Sequence, residues 1–292
     1  HTLSRNQLVL DLSRDEVCKY VIKAVSDVLS SAPITYVKWD MNRHLTDIGS
    51  AVLSPERQRE TAHRYILGLY KVMEEITSRF PNILFESCSS GGGRFDAGML
   101  YYMPQTWTSD NTDAVSRLKI QYGTSLVYPP ITMGAHVSSV PNHQVGRITS
   151  LDTRGHVAMA GNFGYELDLT TLTEQEKEIV KQQVSLYKDI RPIIQFGRFY
   201  RISNPFDGNE AAWNFVSKDQ SEAVASYFKI LSEPAAPLRT IKFKGLHPDY
   251  VYKNVETGEL FGGDELMNAG MTLPRIKQDF LSMFWRFTKH NI

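Results

Sequence analysis

The chain has 292 residues, with 32 Lys and Arg against 32 Asp and Glu, for a formal charge of zero. That balance excludes a surface built mainly for nucleic acid or an anionic membrane, since both need a basic excess. A content of 42% hydrophobic and 11% aromatic residues supplies a large core and excludes disorder.

The two cysteines, Cys18 and Cys88, are too few for a disulfide-stapled fold and have no zinc-ligand spacing. No apolar run approaches the roughly 18–20 residues that a membrane helix needs. The N-terminal stretch HTLSRNQLVLDLSR has neither a basic n-region nor a small-residue cleavage site. A cytoplasmic location is expected. It begins at His1, almost directly on a strand-like run, which leads to the expectation that an N-terminal part of a longer protein precedes it.

In chain order, residues 8–12 form that apolar run, and Ser13 with Glu16 has the spacing of a capping box. Val17, Tyr20, Val21, Ala24, Val25, Val28 and Leu29 follow at helical spacing. ITYVKWDMN reads as a strand. Ser54-Pro55 starts another helix, with Ala62, Tyr65, Ile66, Leu69, Met73 and Ile76 on one face. NILFESCSSGGG is a strand running into a glycine loop, and QTWTSD is a shorter strand. A helix over 113–126, the strand VYPPITMGAHV, a helix near 152–160 and the strand NFGYELDL continue the alternation. Thr173 with Glu176 caps a last helix.

Alternating strands and helices imply a parallel sheet with helical crossovers. The unusual polar residues fall where strands end, which is where a β/α barrel carries its chemistry. The competing doubly wound sheet lacks its GxGxxG turn. Beyond residue 195, AAWNFVS, EAVASYFKIL, TIKFKG, YVYKNVE and FLSMFWRF read as strands, with SKDQSE and ETGE as hairpin connections. The expected division is therefore a β/α barrel portion over residues 1–195 and a small antiparallel β domain over 196–292.

Lys38, Asp40 and Asn42 alternate along one strand and share a side. A Lys two residues away favours the ionised form of a buried Asp. Asp40 then reads either as a nucleophile or as a salt-bridged strand-end residue. Glu86, Cys88 and Ser90 likewise share a side. Gly91, Gly92 and Gly93 let backbone approach a sugar or a phosphate, or simply make a tight turn. Cys88 has no base near it in sequence, so an inert buried thiol is the simpler reading. Asp113 reads as a helix N-cap. Asp110 could be another such residue, or a carboxyl held protonated beside Trp107 and acting as a general acid. His136 and His143 form no metal set. Two carboxylates in different surroundings at neighbouring strand ends are what glycoside hydrolysis needs.

Through YVKWDMNR, ESCSSGGGRFD and TWTSDNTD together, the chain resembles the microbial α-galactosidases of glycoside hydrolase family 36. The resemblance implies a nucleophile at Asp40 in KWD and an acid/base at Asp110 in SDNTD. It implies galactose-site roles for Cys88, Gly91 and Arg94 in C-x-x-G-x-x-R, for Lys38 and Asn42 beside the nucleophile, and for Arg5. Trp107 and Ser109 flank the acid/base without an assigned role. The implied fold is a (β/α)8 TIM-type barrel, of which this chain holds strands three to eight, followed by an antiparallel β-sandwich. A β-sandwich, two barrel strands and an aspartate pair of the family would lie before it.

The implied reaction is hydrolysis of terminal α-galactosyl units of melibiose, raffinose or stachyose with retention. It needs no cofactor and no metal, and family members are often tetramers. A raffinose-synthase-type transferase and an α-N-acetylgalactosaminidase are the neighbouring alternatives. A non-catalytic carbohydrate-binding remnant is the alternative of another class.

Overall fold

The computed structural model describes residues 3, 5–275 and 277–290. The chain divides into two compact units, His1–Asp110 and Asn111–Ile292.

The first unit alternates helix and strand: α1 (Asp15–Ser30), β1 (Tyr36–Asp40), α2 (Thr61–Arg79), β2 (Leu84–Cys88), α3 (Ala97–Tyr102) and β3 (Gln105–Trp107). β1 pairs parallel with β2, and β2 with β3. One face of α1 (Cys18, Ile22, Leu29) and one of α2 (Tyr65, Leu69, Val72, Met73, Ile76) close over Phe85 of β2 and over Met99 and Met103. Each such side chain, fully buried, contributes about 1.5–3 kcal/mol. Close approach depends on Gly68, where a Cβ would lie 1.8 Å from the carbonyl oxygen of Leu12.

Three local expectations change here. The Ser13–Glu16 capping box does not form: α1 has Arg14 as its N-cap, without a side-chain cap. The Ser13 hydroxyl donates to Asp11 Oδ1 at 2.5 Å, and Glu16 accepts from Arg14 instead. The same Asp11 turn, with Leu12 N–H donating to the Leu10 carbonyl, keeps residues 8–12 out of any strand. The segment after Ser54-Pro55 starts as a 3₁₀ turn, Pro55–Glu60, before α2.

The second unit starts with α4 (Ala114–Thr124), β4 (Met133–Ser138), α5 (Leu151–Ala158), β5 (Asn162–Glu166) and α6 (Glu174–Phe196). β4 and β5 are parallel. α6 carries the expected capping box between Thr173 and Glu176. Nine further elements follow: β6 (Arg198–Ser203), β7 (Glu210–Val216), β8 (Glu222–Lys229), β9 (Thr240–Ile241), β10 (Val251–Asn254), β11 (Leu260–Gly262), α7 (Gly263–Asn268), β12 (Met271–Thr272) and β13 (Leu281–Lys289). The strands form an antiparallel sheet of order β11-β10-β13-β8-β7-β6, with β9 and β12 as a separate antiparallel pair. Tyr187, Ile190 and Ile194 of α6 pack on Trp213, Phe215 and Phe228 of that sheet.

The parallel β/α pattern and the antiparallel C-terminal strands follow the sequence expectation. The described residues hold five parallel strands where the resemblance implies six, the 8–12 run being turned. The C-terminal strands stand as one six-stranded sheet plus a pair.

Candidate active site

Parallel pairing puts rows of side chains level across the first unit. Lys38 of β1 is level with Glu86 of β2, which is level with Gln105 of β3. One row further toward the C-terminal strand ends, Asp40 is level with Cys88. Asp40 is the last residue of β1, so its carboxylate stands at the end of the sheet where loops begin.

Two groups hold that carboxylate, Asn42 and Cys88. The Asn42 side-chain amide donates to Asp40 Oδ2 at 2.5 Å. Asn42 Oδ1 in turn accepts from Arg5 at 2.6 Å and from the Ser90 hydroxyl at 3.3 Å. Cys88, 5% exposed, is pushed up to about 11, by burial first and then by its hydrogen bond to Asp40. The thiol therefore stays protonated and donates, which fits the inert reading. The structure thus brings together Arg5, Asn42, Asp40 and Cys88 as the motifs suggested.

Arg94 stands differently. It is buried, and its guanidinium donates to the main-chain carbonyls of Trp39 at 2.7 Å and Cys88 at 3.2 Å, tying together the ends of β1 and β2. Burial lowers its pKa. Gly91 has φ of +110°, and a Cβ there would come 3.0 Å from the carbonyl oxygen of Thr108. At that position a tight turn with close backbone approach is what glycine supplies.

The second carboxylate follows β3. Trp107 is 3% exposed and its indole N–H donates to Asp110 Oδ1 at 3.1 Å. The ammonium of Lys38 lies 4.9 Å from the Trp107 ring centroid, within cation–π reach. Lys38 also faces Glu86 Oε1 at 3.7 Å. A cavity of about 430 Å³ reaches Asp40, Asn42 and Arg94, with Gln7, Val9 and Tyr65 among its other walls.

Asp113 and His136 have local partners. Asp113 caps α4, accepting from Ser116 N–H at 2.9 Å, and pairs with Arg147. His136 Nδ1 lies 3.0 Å from Glu166 Oε2. Among the described residues no group of three or more His, Cys, Asp or Glu could hold a metal, and no helix is long and apolar enough to cross a membrane. Sequence reasoning placed Glu86 on the right side of its strand but gave it no role. The available signal was a lone acid inside LFESC, a strand that is otherwise apolar or small.

Residues 1–197 match the model of the Melibiase family, and residues 210–287 that of the glycosyl hydrolase family 36 C-terminal domain. The chain belongs to glycoside hydrolase family 36. It is 70% identical over 282 residues to alpha-galactosidase AgaA of Geobacillus stearothermophilus, covering 97% of this chain and 38% of that protein. It is 49% identical to alpha-galactosidase Mel36A of Lactobacillus acidophilus, covering 99% of this chain and 39% of that one. The crystal structure of AgaA superposes with a TM-score of 0.96 at 68% identity, over 99% of this chain and 40% of that one. The chain thus spans about two-fifths of the length of these family relatives. AgaA variants have been solved with raffinose and with stachyose. The raffinose variant carries an Asp-to-Asn change and the stachyose variant an Asp-to-Ala change.

Proposed function

We propose that the enzyme carrying this chain is an exo-acting α-galactosidase. It hydrolyses terminal α-galactosyl units of raffinose-type oligosaccharides by double displacement, with retention. One observation carries the assignment of roles. Asp40 ends β1 and Asp110 follows β3 within one compact unit, and each accepts a hydrogen bond from a fixed neighbour, Asn42 and Trp107 respectively. The two substituted aspartates of the AgaA sugar complexes lie 70 residues apart in that protein, the separation of Asp40 and Asp110 here.

In the first step Asp40 attacks the anomeric carbon while Asp110 protonates the departing glycosidic oxygen, giving a galactosyl ester on Asp40. In the second, Asp110 takes a proton from water, the water oxygen displaces Asp40, and galactose leaves with its starting anomeric configuration. Hydrogen bonds from Asn42 and Cys88 keep Asp40 oriented, and Lys38 supplies positive charge beside it. Arg5, Asn42, Lys38, Cys88 and the Gly91 backbone bind galactose hydroxyls. Arg94 contributes by holding the two strand ends that carry Asp40 and Cys88.

The family resemblance also supports a homo-oligomeric, cytoplasmic enzyme. The matched segments support a division near residue 195 between barrel portion and C-terminal β domain. The test is galactose release from raffinose by the intact enzyme. Release of galactose with sucrose as co-product supports the assignment, and no hydrolysis of any α-galactoside contradicts it.

A further inference from the structure

We propose that Glu86 is a positioning residue of this site: its buried carboxylate fixes the ammonium of Lys38 against Trp107 and so sets the charge that meets the sugar. The inference rests on the glycosidase reading above and adds to it a residue outside the binding motifs.

Glu86 is 1% exposed. A carboxylate so buried must be paired or hydrogen-bonded to be tolerated. Its Oε2 accepts from two donors on the flanking strands, the Tyr36 hydroxyl of β1 and the Gln105 amide of β3, the latter at 2.6 Å. Three strands thus hold one carboxyl group in one orientation. Its Oε1 is buried, accepts no hydrogen bond, and faces Lys38 Nζ at 3.7 Å.

The charge of Glu86 is therefore directed at one cation. Without it, the Lys38 side chain, with its rotatable four-carbon stem, keeps the Trp107 face as its remaining charged or ring contact among the described residues. Trp107 in turn donates to Asp110, so Glu86 is linked through Lys38 and the Trp107 ring to the carboxyl group of Asp110. Glu86 itself lies one row deeper than Asp40, and it acts through Lys38.

The test is a kinetic cycle in the intact enzyme, read as kcat/KM on an aryl α-galactoside. Glu86→Gln keeps the size of the side chain and an acceptor for Tyr36 and Gln105 while removing the charge that faces Lys38. The expected loss is about 10-fold or more, falling to less than about 2-fold when Lys38→Met is already present. Equal losses in the two backgrounds, or none in either, would overturn the role. Should Glu86→Gln fail to fold, Tyr36→Phe removes one of the two donors that orient Glu86 and makes the same comparison. A loss of about 2- to 5-fold, present with Lys38 and absent with Lys38→Met, supports the role, and a loss that ignores Lys38 contradicts it. A wild-type enzyme inactive on every α-galactoside would overturn the glycosidase reading and this role with it. An active wild type with an additive cycle overturns the role of Glu86 alone.

Discussion

Asn42 donates its side-chain amide to Asp40 Oδ2 at 2.5 Å from two residues further along the chain. One oxygen of the carboxylate is thereby tied down and its orientation set. A nucleophile held this way reacts from a narrow range of positions, which is how an enzyme avoids the cost of arranging it during reaction.

Removal of the proposed nucleophile defines the first prediction. Asp40→Gly in the intact enzyme should lower kcat by about 1,000-fold or more, as nucleophile deletions do in enzymes that act through a covalent intermediate. Added azide should restore part of the rate by attacking the anomeric carbon in the space left behind, yielding a galactosyl azide. Loss of activity with no response to azide or formate would count against Asp40 as nucleophile.

Asp110 is tested by changing the leaving group. With a dinitrophenyl galactoside, the departing oxygen needs little protonation, so Asp110→Ala should leave the first step nearly intact. On raffinose the same variant should lose about 100- to 10,000-fold, the usual range for a missing general acid. Losses of equal size on both substrates would show that Asp110 does not protonate the leaving group.

Local chemistry made much of this legible from sequence. Asp113 and the Thr173–Glu176 pair were readable as caps because their partners lie three residues away. The Ser13–Glu16 pair has the same spacing, but Asp11 and Arg14 compete successfully for its two side chains. The alternation of Lys38, Asp40 and Asn42 gave the shared face, and the motif resemblance supplied candidate roles. What spacing could not give was any bond between strands. Glu86 draws its partners from 50 residues before it and 19 after it, and the clamp from Arg94 to the Trp39 carbonyl spans 55. The two- and three-residue strands β11 and β12 are too short to show an alternating pattern, and of TIKFKG only Thr240–Ile241 pairs as a strand.

Cys88 offers a prediction in which pH is the variable. Burial and the Asp40 hydrogen bond raise its pKa from an ordinary thiol value near 9 to about 11. At pH 8 only about one molecule in a thousand then carries the thiolate, the form that reacts. Alkylation of Cys88 by iodoacetamide in the folded enzyme, followed by peptide mapping, should be slow at pH 8 and keep rising through pH 10 without a plateau. Asp40→Ala should speed it, because the acceptor that favours the protonated thiol is gone. A plateau near pH 8, or no response to Asp40→Ala, would contradict the contact.

His156 sets an acid limit on the second unit. It is partly buried and stacks on Phe284, its Nδ1 lies 2.7 Å from the Ser282 hydroxyl, and desolvation lowers its pKa from 6.5 to about 4. Between those values the unfolded chain binds a proton that the folded one does not. Stability from this group is thus complete above pH 6.5 and is lost as pH falls toward 4. Urea midpoints of wild type and His156→Gln, compared at pH 7.5 and pH 5, should show a shallower acid decline in the variant. Parallel declines would show that His156 does not drive the loss.

The central claim is that Asp40 becomes covalently galactosylated during turnover. The most direct measurement is to treat the intact enzyme with a fluorinated α-galactosyl fluoride, which forms the intermediate faster than it is hydrolysed, and to locate the added mass by peptide mapping. Label on Asp40, with galactose first released as the α-anomer in ordinary turnover, is the predicted result. Label on another side chain, or first release of the β-anomer, would contradict the account.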